Sequence, residues 1–282
     1  MDKIGTISSH DMGIDVRDFW NFSDPVASEK RFRAILRRKT LSHDEKLEIW
    51  AQVARTWSLR AECDKCHAIL DEYWDDAMVA GPRPKACFEL ERGRAFRTAK
   101  DVPASIPYFQ IAATSTEEDL KVDALHMLAI VAKGDESRRI NLEALEVAKV
   151  SSNPWAVRWQ GTLCNNLGWS AFEDEKFSEA VEWFGKAVIE REKYGNTSAI
   201  HIAKWCLGRG YRAAGDLDKA FELQTKLAEE GADGYVYEEL GEILLAQGKT
   251  EEAKPHFRRA VEQLEAELGA ESDKILRMRQ LS

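Results

Sequence analysis

Cys63-Asp64-Lys65-Cys66-His67 is the run of residues with the most chemistry to offer. C-x-x-C-H is the spacing of covalent c-type haem attachment, and C-x-x-C alone suits a redox dithiol. Zinc is a poorer match, because no second C-x-x-C or H-x3-H cluster supplies the remaining ligands. Haem attachment normally follows export, yet the stretch MDKIGTISSHDMGIDVRDFW lacks the apolar core of a signal peptide. His10, His43, His67, His126, His201 and His256 are scattered along the chain. No phosphate loop, nucleophile elbow, H-E-x-x-H or dinucleotide fingerprint accompanies them. The chain is expected to be non-catalytic and to need no cofactor. A haem or redox protein working through Cys63, Cys66 and His67 is the third-ranked alternative.

The elements that must position such residues are those of a folded protein. Hydrophobic residues make up 44% of the 282 and charged ones 32%, a balance that disordered chains do not show. The net charge of −9 argues against general affinity for a nucleic-acid backbone, which needs a basic surface. No stretch approaches the ~18 apolar residues of a membrane span. The five cysteines are an odd number spread over helical segments, so a disulfide framework is a poor reading. A cytoplasmic location with free thiols is expected.

Small residues recur along the chain with larger ones at fixed offsets. Leu167, Gly168, Ala180, Phe184 and Ala187 form one set, and Tyr237, Leu240, Gly241, Leu244, Ala253, Phe257 and Ala260 another. Leu207, Gly208, Tyr211 and Ala220 repeat the start of the pattern, with Gln224 and Leu227 as departures. Trp50, Val53, Ala54, Trp57, Cys66, Leu70 and Tyr73 fit it near the beginning. Two looser sets use Gly93, Phe96, Ser105, Phe109 and Ala112, then Leu128, Ala129, Ala132, Leu145 and Ala148. The pattern resembles the tetratricopeptide repeat, a helix pair of about 34 residues. In that frame small residues at positions 8 and 20 let the paired helices approach, and larger ones at 7, 11 and 24 fill the space to the next pair. Cys66 takes position 20, which favours packing over redox chemistry. The position-8 residues Ala54, Gly93, Ala129, Gly168, Gly208 and Gly241 lie 39, 36, 39, 40 and 33 apart, so the connections must differ in length.

The resemblance implies an all-α, right-handed superhelical solenoid of about six helix pairs over residues 43–267. Residues 1–42 are expected to hold an N-terminal segment and capping helix, and 268–282 a tail or cap helix. Ser23-Asp24-Pro25 reads as a helix start, continuing to about Arg38. Phe19, Trp20 and Phe22 ahead of it are expected to pack. Turns fall at Gly134, Gly215 and Gly248, and Gly81-Pro82-Arg83-Pro84 separates two pairs.

In this family the first helix of each pair lines the concave face through positions 2, 5, 9 and 12. Here those positions supply Arg55, Arg94, Arg97, His126, Lys133, Asn165, Trp169, Trp205, Arg209, Arg212 and Tyr235. Arginine forks suit carboxylates, and tryptophans offer flat anchoring area. The opposing reading is a solvated face whose arginines pair with glutamates such as Glu91 and Glu62. Asn165 and Asn166 sit in a stretch similar to the longer repeats of kinesin light chain, where such asparagines hold a peptide backbone. A helix–helix contact is the alternative for them. The carboxylate clamp of chaperone-binding relatives is not supported, because His126, Ile130, Ile202 and Cys206 occupy its positions. The implied function is a protein- or peptide-binding adaptor or scaffold for an acidic or C-terminal segment. A peptide-sensing regulator that changes conformation on binding is the alternative, and self-association stays open.

Overall fold

A computed structural model of the chain describes residues 14–231 and 233–282. The described residues form helices joined by short turns, and no strand occurs among them. They divide into two compact units, one ending at Lys133 and one beginning at Gly134. His10 and the first thirteen residues of the stretch read for a leader lie outside the described residues.

The first unit opens with a 3-10 turn, Val16–Phe19, followed by α1 (Pro25–Ile35), α2 (His43–Leu59), α3 (Cys63–Glu72) and α4 (Trp74–Val79). It continues through α5 (Pro82–Thr98), α6 (Val102–Ala112) and α7 (Glu118–Val131). Asp24 caps α1 as its spacing predicts, its Oδ1 accepting the Ala27 N–H at 2.9 Å, although the helix ends before Arg38. Ser42 and Glu45 close a reciprocal capping box on α2. Phe19 and Trp20 pack with Phe32, Ile49 and Val53, whereas Phe22 is 61% exposed.

The second unit runs through α8 (Gly134–Val150), α9 (Pro154–Val157), α10 (Gln160–Glu173), α11 (Phe177–Glu192) and α12 (Thr197–Ala213). It then forms α13 (Leu217–Gly231), α14 (Gly234–Ala246), α15 (Thr250–Leu268) and α16 (Asp273–Leu281). Each helix from α10 onward packs on the next, and α16 lays Ile275 and Met278 against α15.

Close approach at position 8 explains the pairing. A Cβ added to Gly168 would stand 2.5 Å from the Phe184 ring, and one at Gly241 would stand 2.8 Å from Phe257. The phenylalanine ring occupies the room that a missing side chain leaves. Phe184 and Phe257 are fully buried, and truncating such a ring costs about 3–5 kcal/mol. In the α12–α13 pair Gln224 replaces the phenylalanine, and its Nε2 donates to the Trp205 carbonyl at 3.1 Å.

The turn within each of these pairs also repeats. Seven residues after the position-8 residue the backbone enters the left-handed region, at Ala61, Lys100, Glu175, Gly215 and Gly248. The next amide then reaches back five residues, as in Glu62 to Trp57 (3.0 Å) and Asp216 to Tyr211 (2.9 Å). This bond satisfies a carbonyl that the helix end would leave open. The uneven spacing has a local cause as well: α4 is inserted between the α2–α3 and α5–α6 pairs, and α9 precedes α10.

Candidate functional site

Buried charge dominates the first helices of the first unit. Arg55 on α2 and Arg94 on α5 share Glu91, whose carboxylate lies 3.1 and 2.5 Å from their guanidinium nitrogens. Arg94 also reaches Asp123 on α7 at 2.5 Å. Glu91 is only 2% exposed, so its charge depends on these partners. Burial alone would depress the Arg94 pKa, but Asp123 and Glu91 together raise it. Arg97 is exposed and has no ion pair among the described residues, and Lys133 is exposed too. His126 lies on the same side of α7 as Asp123. Burial lowers its pKa to about 4; Asp123 opposes the shift, while Arg94 and Arg97 add to it.

A second cluster stands at the N-terminal ends of these helices. Arg83 bonds Glu48 at 3.1 Å, Glu117 at 3.2 Å and Asp119 in two bonds of 3.0 Å. Burial pushes the Glu48 carboxyl up, with Arg83 acting against it.

Aromatic rings dominate the matching face of the second unit. Trp169 on α10 lies 6.2 Å from Trp205 on α12, which lies 6.2 Å from Tyr235 on α14. Trp205 Nε1 donates to the Tyr235 carbonyl at 3.1 Å, fixing the indole in place. Arg209 lies 5.5 to 5.9 Å from the ring centres of Trp205, Phe172 and Trp169. A guanidinium among rings gains about 0.5–2 kcal/mol, depending on how dry the site is. Its ion-pair contact is a long one of 3.8 Å to Glu239. Arg212, one turn further on, takes that carboxylate in two bonds, the shorter being 2.5 Å. The buried Arg209 Nε has no acceptor among the described residues, and neither does the buried Asn165 Oδ1 have a donor. Asn166 instead turns toward α8, its Nδ2 lying 3.4 Å from Asn141 Oδ1. Tyr235 donates its hydroxyl to Glu267 at 2.8 Å.

The structure thus brings Arg55, Arg94 and His126 into one charged face, and Asn165, Trp169, Trp205, Arg209, Arg212 and Tyr235 into another. Sequence reasoning missed Glu239 as the carboxylate that decides between two arginines, and Gln224 as a support of Trp205. A shared signal existed for the first: Glu91 and Glu239 both stand two residues before a position-8 glycine.

The C-x-x-C-H run lies on α3. Cys66 is fully buried, and burial, with Glu91 adding to it, drives its thiol well above the ordinary range. His67 places its ring 4.6 Å from Phe96 and its Nδ1 3.1 Å from Arg92 Nη1. No group of three or more metal-ligating side chains gathers among the described residues. None of their helices is long and apolar enough to cross a membrane.

A family profile for the tetratricopeptide repeat matches residues 235–263, which is the α14–α15 pair. No curated protein matches the chain. Among solved structures, a tetratricopeptide repeat protein from Parabacteroides merdae is 13% identical, with 94% of this chain and 95% of that one covered and a TM-score of 0.55. The apo quorum sensor NprR from B. thuringiensis is 12% identical, covers 94% and 79%, and gives 0.66. A signal-transduction ATPase of Pyrococcus horikoshii with a tetratricopeptide repeat sensor is 13% identical and gives 0.68; 94% of this chain spans 42% of it. The fold is that of tetratricopeptide repeat proteins.

Proposed function

We propose that this chain, with its tetratricopeptide repeat fold, is a non-catalytic adaptor that holds an acidic or C-terminal peptide segment against α10, α12 and α14. The carrying observation is the charge left over at Arg209. Glu239 is one carboxylate facing two guanidinium groups, and Arg212 holds it at the shorter distance. Of the two, Arg209 is therefore the arginine with a charge to offer, and the rings around it exclude water and strengthen whatever it binds. Trp169, Trp205 and Tyr235 supply apolar area for the residues flanking the ligand's carboxylate. Asn165 offers an amide beside them. Arg55, Arg94 and Arg212 serve as scaffold in this reading.

Selection from a displayed peptide library tests it. The wild-type chain should enrich sequences with a carboxylate next to apolar residues, and Arg209→Met should not. The same enrichment with both proteins would sink the reading. A second reading, a peptide-responsive sensor, draws support from NprR, which shares the fold and has also been solved with its cognate peptide NprX (TM-score 0.54). Solution scattering separates the two: an adaptor keeps its radius of gyration when a selected peptide binds, and a sensor changes it.

A further inference from the structure

Residues 14–22 lie along the first unit much as a bound peptide would. The Ile14 amide donates to Glu45 Oε1 at 3.2 Å, and Trp20 Nε1 donates to Gln52 Oε1 at 2.9 Å, both on α2. Arg17 Nη1 meets Asp119 Oδ2 at 3.2 Å, at the start of α7. The segment therefore reaches from one first helix to another two pairs along. Trp20 and Phe22 stack at 4.7 Å, and the Arg55 guanidinium lies 5.9 and 5.8 Å from their ring centres.

Charge explains why this surface accepts an arginine. Arg83 faces Glu48, Glu117 and Asp119, one cation among three carboxylates. Arg17 brings a second guanidinium to these carboxylates, and its Nε is held at 2.7 Å by Asp15 of its own segment, which orients the side chain toward Asp119. Arg83 holds Asp119 by both oxygens, so the acceptor is oriented independently of Arg17. Gln52 and Arg55 belong to α2, which is anchored by its own core residues Leu47, Ala51 and Ala54. The receiving groups are thus positioned by the helices themselves.

We propose that this face is a docking site for a peptide segment carrying an arginine and aromatic residues, and that residues 14–22 are its built-in occupant. The recognised pattern is an arginine with a tryptophan three residues on and a second aromatic two residues beyond that, as in Arg17, Trp20 and Phe22. A partner segment of that chemistry competes with the chain's own. The anchoring group is an arginine here and a carboxylate in the ligand assigned to Arg209, and the two sites do not depend on each other.

A blocked, dye-labelled peptide with the sequence of residues 14–22 provides the probe, used with the full chain. In the wild type the occupant sits at a high effective concentration and keeps the probe out. The double variant Arg17→Glu, Trp20→Ala should bind the probe on the order of tenfold tighter than wild type, or more. A probe with glutamate at its arginine should not bind. Equal binding by both chains, or none by a double variant that still melts cooperatively, overturns the proposal. If the double variant loses its fold, Arg17→Glu alone retains the Trp20 packing. Excess probe should then raise amide exchange at residues 15–20 by roughly tenfold as it displaces them. Unchanged exchange overturns the proposal equally.

Discussion

Two places in the molecule set an arginine against a buried glutamate in the same repeat frame, with different neighbours. Arg55 on α2 and Arg209 on α12 occupy the same repeat position, and each faces a glutamate two residues before the next glycine, Glu91 and Glu239. One turn after Arg55 stands Ser58, and Arg55 comes within 3.1 Å of its glutamate. One turn after Arg209 stands Arg212, which takes Glu239 and leaves Arg209 at 3.8 Å among the rings. Arg94 also shares Glu91 but has Asp123 as well, so an arginine's freedom to bind a ligand depends on how many carboxylates its neighbouring arginines can reach. Position in the repeat only brings it to the right face.

The largest effect should come from the saturated side. Arg94→Ala would leave Glu91 with Arg55 alone and take from Asp123 its Arg94 pair. Removing one partner from a buried pair costs about 3–5 kcal/mol, so chemical denaturation should show a large drop. A change below ~1 kcal/mol would break the comparison by making the network ornamental. Arg212→Ala sharpens it. Arg209 is then expected to move onto the freed Glu239, holding the stability loss to about 1–3 kcal/mol while weakening peptide binding. Retained affinity would mean that Glu239 does not control Arg209.

Acid should act next, and on the first unit. The folded-state pKa of His126 lies below its unfolded value, so its neutral form favours folding. That contribution is whole above pH ~6.5 and is lost as pH falls toward about 4. Amide exchange in α7 should rise across this window, and His126→Gln should flatten the rise. The smallest stability change belongs to Arg209→Met, within about 1 kcal/mol, because the rings remain packed and the guanidinium has only a long ion pair. Calorimetric titration of a selected peptide should nonetheless show about a tenfold loss of affinity.

Much of the fold was legible because it follows from local sterics. Gly168 with Phe184 and Gly241 with Phe257 carry the helix contact in two residues at a fixed offset. The candidate faces were legible too, since helical periodicity places Trp169, Trp205 and Arg209 on one side. The pairing of charges was not legible, because it depends on side-chain reach between helices. Arg94 and Arg209 share a repeat position, yet Asp123 on the following helix compensates the former and Arg212 deprives the latter. Asn166 shows the same limit: one residue from Asn165, it turns toward Asn141 and away from the aromatic face. The insertions α4 and α9 were visible only as excess spacing, since short helices leave little periodicity to read.

The repeated left-handed turn holds unused thermal headroom. Gly215 and Gly248 adopt that conformation without penalty, whereas Ala61, Lys100 and Glu175 hold it at φ of 60°, 65° and 58°. A side chain there costs roughly 1–2 kcal/mol, of which glycine would recover part after its own greater loss of chain freedom on folding. All three residues are exposed and lie at the tips between paired helices. Glycine at any of them would leave every residue of both candidate binding faces unchanged. The protein can therefore be made hardier, by selection or by design, along an axis separate from whatever it recognises.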